Sequence, residues 1–215
     1  MPVPRILAAN GRVTYELLSE SGFEGLREVE SLRHLHLETS RPSTNHRGKP
    51  VLLVAGSYNR REMENMLSLA LDAFEHTQEI EVWLKGHPSC SFRDLRASFE
   101  NRLHESNFRI LEGDVSKYLP HAWAVLVATS TVSIEALAYG CQVLVPLFPD
   151  MICMCPLAGF EGLYESVRTP EELQCKIASL HETKLEEERL RQNHFIKKYW
   201  HLDPSLKRWN ELLLS

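Results

Sequence analysis

From Pro50 to about Leu180, short runs of β-branched and aliphatic residues alternate with longer stretches of helical period, and no other feature restricts the fold as sharply. That alternation is the pattern of stacked βαβ units around a parallel sheet. It predicts strands at Val51 to Ala55, Ile80 to Lys85, Phe108 to Leu111, Ala124 to Ala128, Gln142 to Val145 and Glu165 to Arg168. Helices are predicted at Arg61 to Glu75, Phe92 to Glu105, Val132 to Tyr139 and Pro170 to Leu180, with short helical pieces near Val115 to Pro120. Right-handed crossovers then put helices on both faces of one sheet. The expected fold class is a doubly wound α/β domain.

The flanks read differently. Ile6 to Ala9, Val13 to Ser21 and Glu28 to Leu37 predict a strand, a helix ending at Gly22 and a second strand, outside the main sheet. The stretch from Glu38 to Lys49 has Pro42, Ser43, Asn45 and Gly48 but no apolar period, and reads as a linker. After the core, Lys184 to Lys198 carries Glu186, Glu187 and Glu188 early and Lys197 and Lys198 late, which suits a helix dipole. A second helix, Ser205 to Leu214, follows Pro204 and brings Leu206, Trp209, Leu212 and Leu213 to one side. The expected divisions are therefore 1–49, 50–182 and 183–215. Ile6, Leu7, Val13, Leu17 and Leu18 in the first segment need apolar neighbours, which a fold-back on the core or a homodimer contact would supply.

Composition narrows the partners. A chain of 215 residues that is 43% apolar and 25% charged has the balance of a globular protein with one good core. Its apolar runs stop well short of the roughly 18 residues that a membrane span needs. The start, Met1-Pro-Val-Pro, has neither the charged nor the long apolar part of a secretory signal, so the expected location is cytoplasmic, with a peripheral association at the inner membrane as a variant. A formal charge of −5 argues against a broad nucleic-acid footprint, so any phosphate must be held locally. The five cysteines, Cys90, Cys141, Cys153, Cys155 and Cys175, are odd in number and scattered, which reads as reduced thiols in packing roles. Neither Cys153-Met-Cys155 nor the His34 and His36 pair has further ligands at metal spacing, so no metal site and no cofactor are expected.

In an open parallel sheet ligands bind beyond the carboxyl ends of the strands, where the strand order reverses. The segments predicted to reach that edge are Gly56-Ser57-Tyr58-Asn59, Gly86-His87-Pro88-Ser89, Glu112-Gly113-Asp114 and Thr129-Ser130-Thr131-Val132-Ser133. Gly56 permits close backbone approach, and Asn59 with Glu62 resembles a capping box. Gly86 and Gly113 are further close-approach positions. His87, held out of helical geometry by Pro88, reads either as a turn histidine or as a donor to phosphate. Ser130, Thr131 and Ser133 read either as helix caps or as an anion site. Glu135, one turn into that helix, either complements the dipole or accepts from ribose hydroxyls. Val115 and Tyr118 are the candidates for contact with a base. No dinucleotide glycine fingerprint follows the first strand and no Walker lysine motif occurs.

Taken in order, these residues resemble the C-terminal, donor-binding half of glycosyltransferases of the two-Rossmann (GT-B) fold, over nearly the whole chain. Lys85-Gly-His-Pro88 is similar to the His-Pro motif, and Ser130-Thr131 to the Ser-Ser/Thr motif, of bacterial sialyltransferases and polysialyltransferases that use CMP-sugars. Ser130 to Gly140, followed by a strand ending at Pro146, resembles the donor-site helix of GT-B enzymes more widely. The flanks, Asn10-Gly-Arg to Ser21-Gly22, Ser31-Leu-Arg-His-Leu and Tyr199-Trp-His-Leu-Asp-Pro with Trp209, resemble transferases of lipopolysaccharide and capsule biosynthesis. The resemblance implies an inverting, metal-independent transferase. In it His87 and Ser130-Thr131 hold the phosphate of a nucleotide-sugar, expected to be of CMP-sugar type, with UDP and CDP as the other nucleotides; His87 stabilises the departing phosphate, Glu135 binds ribose, and the Gly56-Ser57 loop meets the sugar or phosphate. The glycan acceptor and the catalytic base would belong to an N-terminal Rossmann domain, most of which has no counterpart in these residues. Two other classes stay open. One is a fragment like a UDP-sugar 2-epimerase, and the other is a module that binds a nucleotide or a protein without turnover.

Overall fold

The computed structural model describes residues 4–40, 48–92, 95, 99, 102–103, 107–180 and 186–214. They fall into two compact units, one made of the residues up to 40 together with those from 186 onward, the other of those between.

The larger unit is built on six parallel strands: β3 (Val51–Ala55), β4 (Glu81–Lys85), β5 (Phe108–Leu111), β6 (Ala124–Val127), β7 (Gln142–Pro146) and β8 (Glu165–Val167). Their order across the sheet is β5-β4-β3-β6-β7-β8. The register pairs Val51 with Glu81 and Leu52 with Ala124, so β3 lies at the centre. Burial follows position. Every residue of β3 and β6 is buried, as expected for strands covered on both faces, whereas β4 alternates. Leu52, Val54, Val82, Leu84, Leu126 and Leu144 turn to one face and pack with α2 (Arg60–Phe74), with Phe92 and Leu95, and with Leu173 and Ile177 of a later helix. The alternate residues Leu53, Val125, Val127, Val143 and Val145 point the other way and are also buried. Both faces are therefore covered, and the fold is a doubly wound parallel α/β sheet. Burying each of these leucines contributes about 1.5 to 3 kcal/mol.

Local chemistry starts the helices where they are needed. Asn59 Oδ1 accepts the amides of Arg61 and Glu62 at the head of α2. The helix from β6, α3 (Val132–Ala138), precedes β7. Thr169 caps α4 (Pro170–Ala178) by accepting the Glu172 amide, and Pro170 fits the first helical position, where no amide is needed. Gln174 Nε2 then donates to the Ala73 carbonyl and ties α4 to α2. Most of the helix expected over 92–105 falls outside the described residues; Phe92, Leu95, Phe99, Arg102 and Leu103 are helical. Most of the expected 38–49 linker likewise lies outside them.

In the smaller unit β1 (Leu7–Ala9) and β2 (Leu26–Glu28) form a two-stranded parallel sheet, joined by α1 (Arg12–Glu20). The same unit contains α5 (Glu186–Tyr199) and α6 (Lys207–Leu214). The strand expected over Glu28 to Leu37 is corrected here: β2 ends at Glu28, and Leu32–Thr39 is a 3₁₀ helix. Its buried residues are His34 and Leu37, which continue the three-residue spacing from the buried Ser31 just before it, the 3₁₀ period. His34 and His36 accordingly do not share a face. His34 is buried and stacked on Trp200 with ring centroids 3.7 Å apart, and His36 is exposed. Val13 is buried, while Ile6 and Leu17 are exposed. Glu30, also buried, accepts the amides of Arg208 and Trp209 and so caps α6.

Candidate functional site

The strand order reverses between β3 and β6: the chain goes from β3 outward through β4 and β5, then crosses to β6 on the other side. At such a switch point the loops leaving the two strands run in opposite directions and open a crevice beyond the carboxyl edge. Here those loops are 56–59 after β3 and 128–131 after β6, with 86–91 after β4 on one side and 147–154 after β7 on the other.

The loops after β3 and β4 are locked together. The Gly56 amide donates to the Lys85 carbonyl at 2.8 Å. A Cβ on Gly56 would lie 3.2 Å from the Gly86 Cα, and one on Gly86 would lie 2.9 Å from the Phe92 nitrogen. Both glycines thus allow protein backbone to approach protein backbone. Gly113 has a different reason: it has open space around it but a φ of +80°, a conformation that side chains disfavour. Ser57 is buried, and its Oγ accepts the Asn59 amide at 3.1 Å, which holds the turn into α2.

His87 lies at the head of the β4 loop with its ring half-buried. Nδ1 accepts the Ser89 amide at 3.2 Å and sits 2.7 Å from Ser89 Oγ. An amide N–H can only donate, so Nδ1 is an acceptor and the neutral ring carries its proton on Nε2. The Tyr58 ring meets His87 edge-on at 6.3 Å. Pro88 is exposed beside it. Burial pushes the Lys85 ammonium below its ordinary range, opposed by the charge of Asp114, and Nζ donates to the Gly86 carbonyl.

Across the switch point, Ser130 Oγ accepts the Val132 amide and the Ser133 hydroxyl donates to the Ser130 carbonyl at 2.8 Å. Ser133 is fully buried, and Thr131 is exposed. Glu135 is buried on α3. Burial raises the Tyr139 phenol above its ordinary value, and the charges of Glu135 and Asp114 add to the rise. Tyr118 donates to the Glu112 carbonyl and stands edge-on to Trp83.

One group stands out that the sequence marked only as a cap. Glu62 does not return to the Asn59 amide, which Ser57 already holds; its carboxylate crosses the switch point, where Oε1 accepts from Thr129 Oγ1 at 3.0 Å. A cleft of about 370 Å³ opens here, lined by Glu62 and Thr129 with Tyr58, Asn59, Arg61 and the segment from Asp150 to Met154. A smaller hollow beside it, also lined by Glu62, extends under Pro146, Phe148 and Cys153. Burial holds the Cys155 thiol above its ordinary range; hydrogen bonds with Leu157 and Ser133 oppose this, and the charges of Cys153 and Glu62 add to it. Tyr58 lines the cleft, and its ring stands edge-on to that of His87.

No known family profile and no curated protein matches this chain. Solved structures do. A TarM variant from S. aureus, in complex with fondaparinux, α-GlcNAc-glycerol and UDP, superposes with a TM-score of 0.64 at 13% identity, covering 98% of this chain and 44% of that one. WaaG, a glycosyltransferase involved in lipopolysaccharide biosynthesis, gives 0.54 at 12% identity, with coverages of 96% and 61%. The UDP-GlcNAc 2-epimerase of Methanocaldococcus jannaschii, with UDP-GlcNAc and UDP, gives 0.57 at 14%, with coverages of 90% and 61%. The fold is thus that of a Rossmann-like half of the GT-B architecture. The chain spans about half the length of the structures it matches, between 44% and 62%.

Proposed function

We propose that this chain is the nucleotide-sugar-binding half of a two-domain glycosyltransferase acting in bacterial surface-carbohydrate biosynthesis. The observation that carries this reading is the switch point, where His87 after β4 and the 129–133 turn after β6, with the buried Glu135 one turn further on, come from two strand ends to one sheet edge. The His87 Nε2–H and the hydroxyls of Ser130 and Thr131 are the donors for phosphate, Glu135 is the acceptor for the ribose diol, and the 113–118 loop lies on the base side. Negative charge grows on the departing phosphate during transfer, so donors aimed at it would lower the barrier. The acceptor glycan and the base that deprotonates it would belong to a second Rossmann domain.

UDP is the nucleotide named in the complexes of the TarM variant and the 2-epimerase, which favours a uridine donor over the cytidine donor that the His-Pro and Ser-Thr motifs resemble. Titration calorimetry of the chain with UDP, CMP, CDP and GDP tests this, with UDP expected to bind most tightly. No binding by any of the four would refute the reading. The structural likeness to UDP-GlcNAc 2-epimerases supports a second reading with the same nucleotide site. The two separate on product: a new glycosidic bond, or a sugar inverted at C2 and still attached to UDP.

A further inference from the structure

The Glu62 carboxyl group is 5% exposed and in the first turn of α2, yet capping does not explain it, because Asn59 and Ser57 satisfy that turn without it. Thr129 satisfies Oε1. Oε2 is buried with no hydrogen-bond partner among the described residues. An open carboxylate oxygen in such a place is costly until a donor reaches it. The one cation lining the cleft, Arg61, pairs with Asp150 at 3.4 Å on its exposed rim. The remaining wall is apolar and open to solvent: Tyr58, Ile152 and Met154 are 61%, 83% and 64% exposed. An acceptor beside exposed apolar surface fits a ligand that carries hydroxyl donors along one edge and C–H groups on its face.

We infer that Glu62 is the specificity-determining residue for the sugar: it accepts hydrogen bonds from the hydroxyls of an uncharged sugar and turns away sugars that carry a carboxylate. The inference rests on reading the crevice as a nucleotide-sugar site. A neutral or N-acetylated hexose brings donors to Oε2, whereas the carboxylate of an acidic sugar has no hydrogen to donate and would set acceptor against acceptor.

The test is calorimetry of the 215-residue chain with UDP, UDP-glucose and UDP-glucuronic acid, on the wild type and on Glu62→Gln. Wild type should bind UDP-glucose at least tenfold more tightly than UDP-glucuronic acid. In Glu62→Gln, whose amide can donate to a carboxylate, the two affinities should come within threefold. If UDP binds but the wild-type ratio is near one, or if a folded Glu62→Gln keeps the ratio, water alone satisfies the carboxylate and the inference is overturned, while the nucleotide site stands. If UDP does not bind, the reading beneath the inference falls and takes it along. Should Glu62→Gln fail to fold, Thr129→Val decides: it leaves the Glu62 side chain in place, so the tenfold ratio must persist, and its collapse overturns the inference.

Discussion

Replacing His87 with alanine should weaken UDP binding without loosening the fold. The imidazole is fixed from one side only, by the Ser89 amide at 3.2 Å and Ser89 Oγ at 2.7 Å on Nδ1, so the neutral ring offers one donor, Nε2–H. A hydrogen bond from a side chain to an ionised oxygen contributes about 1.5 to 3 kcal/mol, and competition from water at a half-exposed ring takes the lower end down to about 1. The expected loss is therefore about 1 to 3 kcal/mol, or roughly 5- to 150-fold in Kd. Calorimetry with UDP and with uridine isolates the phosphate contribution: uridine should bind both proteins alike. Ser89→Ala keeps the amide but removes the hydroxyl, so it should cost less, under about 1 kcal/mol, by loosening the ring rather than deleting it. An unchanged UDP affinity in folded His87→Ala, or an equal loss for uridine, would refute the assignment.

Glu135→Gln should lower affinity for UDP more than for its 2′,3′-dideoxy form, and equal losses in calorimetry would return Glu135 to a purely structural role. Glu30→Ala should destabilise the smaller unit by about 2 to 3 kcal/mol, because it uncaps α6 and leaves the amides of Arg208 and Trp209 without their acceptor. Urea unfolding followed by tryptophan fluorescence measures that loss, and a change below about 0.5 kcal/mol would count against the cap. Burial pushes the His34 imidazole down from 6.5 to about 4, with the charges of Arg33 and His36 adding to the effect. The unfolded chain then takes the proton first, so the contribution is intact above pH 6.5 and fades by about 3 kcal/mol as pH falls toward 4. Melting of His34→Gln across that window should show a flatter slope than wild type, and identical slopes would exclude His34 as the cause.

The central sheet was legible because its strands are buried on both faces. Val51 to Ala55 and Ala124 to Val127 read as unbroken apolar runs, and each is followed by small or hydroxylated residues at the edge where ligands bind. The segment after β2 was misread for an identifiable reason. The inward positions are Ser31, His34 and Leu37, three apart rather than two, and two of them are polar in type and buried through a hydroxyl–imidazole contact of 2.9 Å and a stack on Trp200. Glu62 was hidden by a local pattern that fits a capping box equally well; only the tertiary contact with Thr129 distinguishes the two. The 150–154 wall of the cleft has no periodicity at all, so nothing in its residues announced where β7 would deliver it.

In the proposed reading the two ends of the crevice would differ, with donors at one and the Glu62 acceptor at the other, and that difference would orient a ligand. Going along the sheet edge, the loops after β4, β3, β6 and β7 present the His87 donor, the Ser57–Asn59 turn, the Thr129–Ser133 hydroxyls and then the apolar 150–154 segment, with the Glu62 carboxylate beneath the last two. Adjacent strands stand about 4.8 Å apart, so the first and last of these loops are separated by roughly 14 Å, enough for a pyrophosphate followed by a hexose ring. An anion would gain donors at one end and meet the acceptor oxygens of Glu62 at the other. A nucleotide-sugar placed with its phosphates toward His87 satisfies both ends, whereas the reverse placement puts phosphate against Glu62 and leaves the imidazole facing hydroxyls. The two substitutions must then separate cleanly: His87→Ala acts on the affinity for UDP itself, and Glu62→Gln acts on the choice among sugars. If both acted on the same quantity, the ends would not be distinct and the orientation would be lost.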